Sequence, residues 1–121
     1  MARVLVAEDE PDIRDIIDRA LTAAGHTVSV AADGAAALEI LKQKQFDLLL
    51  TDIVMPIMDG VALALNVSRS YPDMCIVMMT GYADQRDRAF NLDVLIHDIV
   101  VKPFSIDEIV LKVEEALASR K

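Results

Sequence analysis

Four short apolar stretches of the chain are each followed directly by a polar or charged residue. They span residues 3–7, 47–51, 75–79 and 99–101. Runs of this length, rich in Val, Leu and Ile, are typical of buried strands. Stretches of helical periodicity separate them, and short strands that alternate with helices predict a parallel sheet covered on both faces. The pattern therefore restricts the chain to the α/β class.

Five helices and one further strand complete the predicted architecture. Residues 27–30 alternate as a strand, and the helices begin at Pro11, at 33–34, at 59–60, within 83–97 and at a capping box of Ser105 with Glu108. Gly25 suits the left-handed cap at the end of the first helix. The inward positions predicted for the first, third and last helices are Ile13, Ile16, Ile17, Ala20, Leu21 and Ala24; Val61 and Leu65, with Ala64 as a further candidate; and Ile106, Ile109, Val110, Val113, Ala116 and Leu117.

Length and composition limit the class of protein. A chain of 121 residues without linker, repeat or low-complexity segment predicts one domain over 1–121. Its formal net charge of −8 argues against direct binding of nucleic acid or of an anionic membrane surface, because both need clustered Lys and Arg. No signal peptide and no membrane-spanning run is recognisable, so we expect a cytoplasmic protein. Cys75 is expected to be a buried thiol, and His26 and His97 to lie at the surface without a chemical role.

The polar residues that follow the apolar strands form the candidate site. They are Glu8 and Asp9 after the first strand, Asp52 after the third, Thr80 after the fourth and Lys102 after the fifth. Ligands of an open parallel sheet bind beyond the carboxyl ends of the strands, where the strand order reverses. If the order is 2-1-3-4-5, the acids of the first and third strands flank that point.

The residue types at this edge favour a magnesium site over a nucleotide site. The turn at residues 7–11 contains no glycine, so it cannot cradle a pyrophosphate as a dinucleotide-binding turn does. Carboxylate oxygens suit Mg²⁺, with Asp9 and Asp52 as direct ligands and Glu8 binding either directly or through a water. A carboxylate beside Mg²⁺ can act as a nucleophile towards phosphorus. Lys102 and the Thr80 hydroxyl would then contact phosphoryl oxygens.

Two other classes of function remain open. A magnesium-dependent phosphohydrolase with an Asp nucleophile usually has a second acid two residues later, where this chain has Val54, so we expect no turnover of an external substrate. An interaction module that is never phosphorylated is also possible, although no residue of the site is missing. An apolar Val54, together with Tyr82, is expected to hinder attacking water and to slow the loss of phosphate.

Four segments of the chain resemble the receiver domain of the response-regulator family of two-component signalling. They are residues 4–10, 51–60, 79–81 and 101–104, and the resemblance covers the whole chain. It implies a flavodoxin-like, three-layer α/β sandwich with a five-stranded parallel sheet of order 2-1-3-4-5 and five helices. It also implies that Asp52 is the phosphoacceptor, that Glu8 and Asp9 bind Mg²⁺, and that the Val54 carbonyl is a further ligand.

The resemblance also implies a switch, and the chain departs from the family pattern there. Thr80 would be the switch hydroxyl, Lys102 the lysine of the site, and the Lys102–Pro103 peptide bond cis. Three residues before Lys102, where many receivers have Tyr or Phe, this chain has Ile99. The usual coupling of Thr to an aromatic ring cannot operate, so we hypothesise that Tyr82 transmits the signal. In Glu8 the chain also has a longer acid than the commoner Asp.

The partners implied by the resemblance are proteins. A histidine kinase or a histidine phosphotransfer protein would supply the phosphoryl group from phosphohistidine. The segments also resemble stand-alone receivers of the CpdR type, which control a protease's access to its substrates, and receivers of hybrid sensor kinases share much of the pattern. No helix-turn-helix or catalytic module follows Leu117, so we expect output through contact with a downstream protein.

Overall fold

The computed structural model of the chain describes residues 2–81 and 96–119. Within them, five strands form one parallel sheet of order β2-β1-β3-β4-β5. The strands are β1 (Arg3–Ala7), β2 (Thr27–Ala31), β3 (Leu48–Asp52), β4 (Cys75–Thr80) and β5 (Asp98–Val101). The predicted strand order is confirmed. It places β1 beside β3, with β4 and β5 next in line.

Four helices are present within the described ranges. They are α1 (Pro11–Ala23), α2 (Gly34–Leu41), α3 (Gly60–Ser70) and α4 (Ile106–Ser119). The fifth predicted helix, within 83–97, falls almost entirely outside the described residues. Helices α1 and α4 cover one face of the sheet, and α2 and α3 cover the other. This arrangement is the predicted three-layer sandwich.

Side chains that cap the helices fix where they begin. Asp33 and Asp59 each accept a hydrogen bond from the backbone N–H three residues further on, at 2.8 and 2.9 Å. The Ser105 hydroxyl accepts one from the Glu108 N–H at 3.1 Å, which is one half of the predicted capping box. Beyond α1, Gly25 has φ of 102°, as its predicted left-handed position requires.

Two apolar layers pack against opposite faces of the sheet, because successive strand residues point to opposite sides. The layer beneath α2 and α3 includes Leu5, Ala7, Leu49, Ile53, Ile76, Met78, Leu63 and Val67. The layer beneath α1 and α4 includes Val4, Val6, Leu48, Leu50, Val77, Met79, Ile17, Leu21, Ile109 and Val113. Each large aliphatic side chain buried in this way contributes about 1.5–3 kcal/mol of transfer free energy. Predicted Cys75 burial is confirmed.

Several residues predicted to face the core are exposed instead. Ile16 is 49% exposed, Leu65 38% and Ile106 37%, and Ala24 lies exposed beyond the end of α1. On α3 the buried stripe runs through Leu63 and its neighbours at three- and four-residue spacing, so Leu65 is turned away by the helical rotation. Ile16 and Ile106 have a different cause, since both line a cavity described below.

The prediction that His26 is exposed is wrong. Its side chain is only 7% exposed, because the chain folds back after Gly25 and α4 covers the ring. The Ala2 N–H donates to Nδ1 at 3.3 Å, and Nε2 lies 3.3 Å from a carboxylate oxygen of Glu114. The ring thus joins the start of β1 to the last helix. His97, by contrast, is exposed as predicted.

The loop after β3 contains a backbone strain that can be relieved. Ile57 has φ of 69° and is 85% exposed, so a β-branched residue occupies a left-handed position without burial to offset its cost of about 1–2 kcal/mol. Ile57→Asn is expected to raise the free energy of unfolding by about 1 kcal/mol, measured by urea denaturation. Ile57→Val keeps the β-branch and should give no gain. Equal stabilisation by both variants would contradict the assignment of strain.

Candidate functional site

The five predicted site residues lie together at the carboxyl edge of the sheet. Glu8 and Asp9 follow β1, and Asp52 and Thr80 end β3 and β4. Lys102 follows β5, and its backbone N–H donates to the Thr80 carbonyl at 2.7 Å. Glu8, Asp52 and Thr80 are buried, although polar side chains are usually exposed. The sheet thus concentrates charge at one point.

Three carboxylates form the centre of the site. Glu8, Asp9 and Asp52 each offer a carboxylate oxygen, and these oxygens lie within 4.8 Å of one another. Two unit charges about 4 Å apart repel by roughly 4 kcal/mol at an effective dielectric near 20. Oxygen ligands with this excess of negative charge fit Mg²⁺, which binds through one or two carboxylates and keeps several waters. The donor set therefore matches the predicted metal.

Lys102 partly neutralises this cluster. Its Nζ lies 2.8 Å from Oδ2 of Asp52 and 3.5 Å from Oε1 of Glu8. Burial disfavours the ammonium form, but the hydrogen bond to Asp52 and the charges of both carboxylates outweigh it, so the pKa of Lys102 is raised above its ordinary value. The lysine is therefore cationic at neutral pH and bridges strands β1, β3 and β5.

Backbone groups hold Asp52 in one orientation. The Ile53 N–H donates to Oδ1 at 3.0 Å, while Lys102 occupies Oδ2. The Thr51 hydroxyl donates to the Asp52 carbonyl at 2.9 Å. With about 5% of its surface exposed, Asp52 presents its carboxylate from a fixed position. A fixed nucleophile loses little entropy when it reacts.

Gly60 gives the backbone of Asp52 the space it needs. A Cβ at position 60 would lie 1.9 Å from the Asp52 carbonyl oxygen, a separation that real atoms do not adopt. The Gly60 N–H donates to the Ile53 carbonyl at 2.7 Å, so the start of α3 packs directly on the end of β3. The sequence pattern identified Gly60 only as the start of a helix. Its role as a spacer depends on a distance that no local pattern encodes.

The buried side chain of Thr80 lies at the end of β4. Within the described part of the chain, its hydroxyl Oγ1 has no hydrogen-bond partner. A buried hydroxyl without a partner costs about 1–3 kcal/mol. An oxyanion placed between Thr80 and Lys102 would satisfy this group. That arrangement supports the predicted contact of Thr80 with a phosphoryl oxygen.

The ionisation of Glu8 is strongly perturbed. Burial, as the largest cause, and the charge of Asp52 raise its pKa from 4.5 to about 7, although the Glu10 N–H and Lys102 favour the ionised form. Its Oε2 accepts the Glu10 N–H at 3.0 Å. The longer side chain of Glu, compared with Asp, lets the carboxylate fold back onto its own turn. When no cation is bound, the pKa of Glu8 therefore lies near neutral pH.

This pKa predicts a pH dependence of stability. Because the folded protein binds the Glu8 proton more tightly than the unfolded chain, stability falls as pH rises between 4.5 and 7. The expected loss from this group is about 3 kcal/mol in metal-free protein, at 1.36 kcal/mol per pH unit. Urea denaturation in EDTA across this range measures it. Glu8→Gln should remove that part of the slope, and an unchanged slope would contradict the assignment.

A cavity of about 800 Å³ opens beside the carboxylates. The charged side chains of Asp9, Asp52 and Lys102 line it. Glu10 and Gly81 also line it, and the remaining lining residues are apolar: Ile13, Ile16, Ile17, Val54, Pro103, Phe104 and Ile106. Ile16 and Ile106, which the periodicity of their helices assigned to the core, thus border the reactive site. Val54, half exposed, lines the same cavity.

The remaining predictions about the switch have mixed outcomes. The Lys102–Pro103 peptide bond is cis, as predicted. Ile99 is partly buried and packs against the apolar layer beneath α2 and α3. Tyr82, the hypothesised signal transmitter, lies outside the described residues.

Among the described helices, none is long and apolar enough to cross a membrane.

Comparison with known proteins identifies the family. The family model of the response regulator receiver domain matches residues 4–114 of the chain. The chain therefore belongs to the response regulator receiver domain family. Receiver domains of this family are phosphoacceptor switches of two-component signalling, and this is the function of the class to which the chain belongs.

Individual relatives agree with this assignment. The chain is 38% identical to the response regulator receiver protein CpdR of Brucella abortus (strain 2308), over 97% of this chain and 98% of that protein. It is also 38% identical to the DNA-binding transcriptional regulator NtrC of Escherichia coli (strain K12), over 95% of this chain. That match spans only 24% of NtrC. The chain thus resembles both a protein of its own length and part of a longer one.

Solved structures show the same fold. The receiver domain of NtrX from Brucella abortus superimposes with a TM-score of 0.88 at 30% identity, covering 96% of this chain and 98% of that one. TrrA from Thermotoga maritima, solved in complex with Mg²⁺ and BeF, superimposes with a TM-score of 0.85 at 30% identity, covering 96% and 99%. The flavodoxin-like fold is therefore confirmed.

Proposed function

We propose that Asp52 is the phosphoacceptor of this chain. An Asp52 carboxylate oxygen would attack the phosphorus of a phosphohistidine, the P–N bond would break, and the imidazole would leave as an aspartyl phosphate forms. The observation that carries this proposal is the contact of Asp52 with Lys102 at 2.8 Å inside a cluster of three carboxylates. A merely structural aspartate would need neither the partly buried lysine nor the acidic neighbours.

Glu8, Asp9 and Asp52 are the side chains that would hold Mg²⁺. The backbone carbonyl of Val54 is the proposed fourth protein ligand. When bound, Mg²⁺ neutralises the negative charge of the carboxylates and of an incoming phosphoryl group. The TrrA structure, solved with Mg²⁺ and BeF, supports this assignment by similarity. Glu8 binds either directly or through a water.

Lys102 and Thr80 would bind the transferred phosphoryl group. The Lys102 ammonium now contacts Asp52 and would exchange this contact for a phosphoryl oxygen. The buried Thr80 hydroxyl would donate to another phosphoryl oxygen. Because the Lys102 N–H is bonded to the Thr80 carbonyl, movement of one residue is coupled to the other. This coupling gives the domain a route from phosphorylation to a change in surface.

Beryllofluoride binding tests this assignment without a phosphodonor. Isothermal titration calorimetry with BeCl₂ and NaF is expected to show one site in the presence of Mg²⁺ and none in EDTA. Asp52→Ala should abolish the heat. Binding that is retained in Asp52→Ala would contradict the role of Asp52, and an absence of binding in the wild type would favour an interaction module that is never phosphorylated.

A histidine kinase or a histidine phosphotransfer protein is the proposed donor. Its phosphohistidine must enter the cavity to reach Asp52, so the donor surface would cover the apolar lining residues Ile16 and Ile106. Exposed apolar side chains beside a charged site suit contact with a protein donor.

Ile16→Asp is expected to separate the two kinds of donor. Transfer from the phosphorylated protein that donates fastest to the wild type should slow about tenfold, because about 1.4 kcal/mol of docking energy is lost. Phosphorylation by acetyl phosphate should remain within about twofold. Leu111→Asp, an equally exposed apolar position on α4 outside the cavity, is the control. Transfer of radiolabelled phosphoryl from the donor protein measures both rates. Equal slowing of this transfer by Ile16→Asp and Leu111→Asp would contradict docking at the cavity.

Output is proposed to occur through a downstream protein rather than through turnover of a substrate. The resemblance to CpdR-type receivers, which control a protease's access to its substrates, makes a protease system the first target to test. Val54 stands where an enzyme of this type would need an acid, and it lines the cavity through which water must approach. The aspartyl phosphate should therefore decay slowly, and Val54→Asn should change that rate.

A further inference from the structure

We propose that Arg14 is a positioning residue of the magnesium site. It fixes the turn at residues 8–10 and so aims the Asp9 carboxylate at the metal position. This inference rests on the proposed function, because it concerns the same site. Arg14 itself lies on α1 and would not bind the ion, which the carboxylates of Glu8, Asp9 and Asp52 would hold.

The contacts of Arg14 are directed at the backbone of the acidic turn. Its Nη1 donates to the Glu8 carbonyl oxygen at 3.0 Å. Its backbone N–H donates to the Glu10 carbonyl at 2.9 Å, which is the first i→i−4 bond of α1 and does not depend on the side chain. Arg14 is partly buried, so these bonds are shielded from water on one side. A third bond closes the turn, from the Glu10 N–H to Oε2 of Glu8 at 3.0 Å. The turn is thus held from outside and from within.

The position of the first bond decides its effect. The Glu8 carbonyl belongs to the peptide group that joins Glu8 to Asp9, so its direction sets the plane from which the Asp9 side chain departs. Without the Arg14 guanidinium this peptide could rotate, and the Asp9 carboxylate would leave the cluster. Pairing with β2 and β3 fixes the chain up to Ala7 on the strand side of the turn. On the helix side, the Arg14 guanidinium is a side-chain donor to the Glu8 carbonyl.

A simple effect of charge would have the opposite sign. The guanidinium repels Mg²⁺, so if Arg14 acted only through its charge, its removal should tighten Mg²⁺ binding. If it positions Asp9, its removal should weaken binding. The sign of the change in Kd therefore separates the two explanations.

The experiment is a calorimetric titration of Mg²⁺ into the metal-free protein without a phosphodonor. Arg14→Met removes the donors and the charge but keeps an apolar stem of similar length. Arg19→Met makes the same change five residues further along α1, where Arg19 is 80% exposed and pairs with Asp15. Kd for Mg²⁺ is expected to rise about tenfold in Arg14→Met and to stay within about twofold in Arg19→Met. Arg14→Lys should fall between the wild type and Arg14→Met.

Hydrogen exchange provides a second measurement that does not use the metal. The Glu10 amide, which is bonded to Glu8, should exchange faster in Arg14→Met than in the wild type, while thermal unfolding in EDTA shows that the variant is folded. Unchanged or tighter Mg²⁺ binding in Arg14→Met, with an unchanged Glu10 amide, would overturn the inference alone. A wild type that does not bind Mg²⁺ would overturn the proposed function and the inference with it.

Discussion

Gly60→Ala is expected to lower the free energy of unfolding by at least about 3 kcal/mol. The new Cβ would lie 1.9 Å from the Asp52 carbonyl oxygen, so either α3 or the end of β3 must move. The three atoms nearest to that Cβ are backbone atoms of Asp52 and Ile53, so no change of side-chain rotamer can relieve the clash. Urea denaturation measures the loss, and the same shift should impair phosphoryl uptake in whatever fraction remains folded.

Two other glycines serve as controls for this steric effect. At Gly25 an added Cβ meets nothing within 4 Å, and the cost of Gly25→Ala is the left-handed φ alone, about 1–2 kcal/mol. At Gly34 the Cβ would lie 2.6 Å from the Met58 carbonyl oxygen, which predicts an intermediate loss. Destabilisation is therefore expected to increase from Gly25→Ala through Gly34→Ala to Gly60→Ala. A Gly60→Ala variant as stable as Gly25→Ala would contradict the packing described for Asp52.

Lys102→Met is expected to have opposite effects on metal binding and on chemistry. Without the ammonium, the buried carboxylates of Glu8 and Asp52 are uncompensated, so metal-free protein should lose about 3 kcal/mol of stability at pH 8. Mg²⁺ should bind more tightly and restore part of that loss. Phosphoryl uptake should nevertheless slow about a hundredfold, because the cation that contacts the phosphoryl group is gone.

Lys112→Met is the matched control. Its ammonium lies 3.0 Å from the Asp98 carboxylate, but both side chains are about one-third exposed, and a solvated pair of this kind contributes at most about 1 kcal/mol. Its removal should leave Mg²⁺ affinity and phosphoryl uptake unchanged. Tighter Mg²⁺ binding in both variants would show that net charge, rather than the Lys102 contact, controls the site.

Much of the fold could be predicted because its signals are local. Runs such as Leu48–Leu50 are typical of buried strands, and Asp33 and Asp59 mark helix starts through bonds made three residues away. The strand order then follows from the resemblance to the receiver family. Residues at the ends of these strands meet because the sheet is parallel, and for this reason Glu8, Asp9, Asp52, Thr80 and Lys102 could be named in advance.

The errors arise where tertiary contacts decide. Ile16 and Ile106 belong to apolar stripes by periodicity, yet both line the cavity beside the site and are exposed. His26 is polar and follows a turn, yet α4 covers it. The role of Gly60 and the contact of Arg14 with the Glu8 carbonyl both depend on distances that sequence spacing does not encode.

The most direct test of the central claim is the intact mass of the protein after incubation with acetyl phosphate and Mg²⁺, beside Asp52→Ala. The account predicts a gain of one phosphoryl group in the wild type, lost in EDTA and absent in Asp52→Ala. A phosphoryl group gained equally by Asp52→Ala would contradict the assignment of Asp52. A wild type that gains none, from acetyl phosphate or from any phosphohistidine protein, would contradict the proposed phosphoacceptor function.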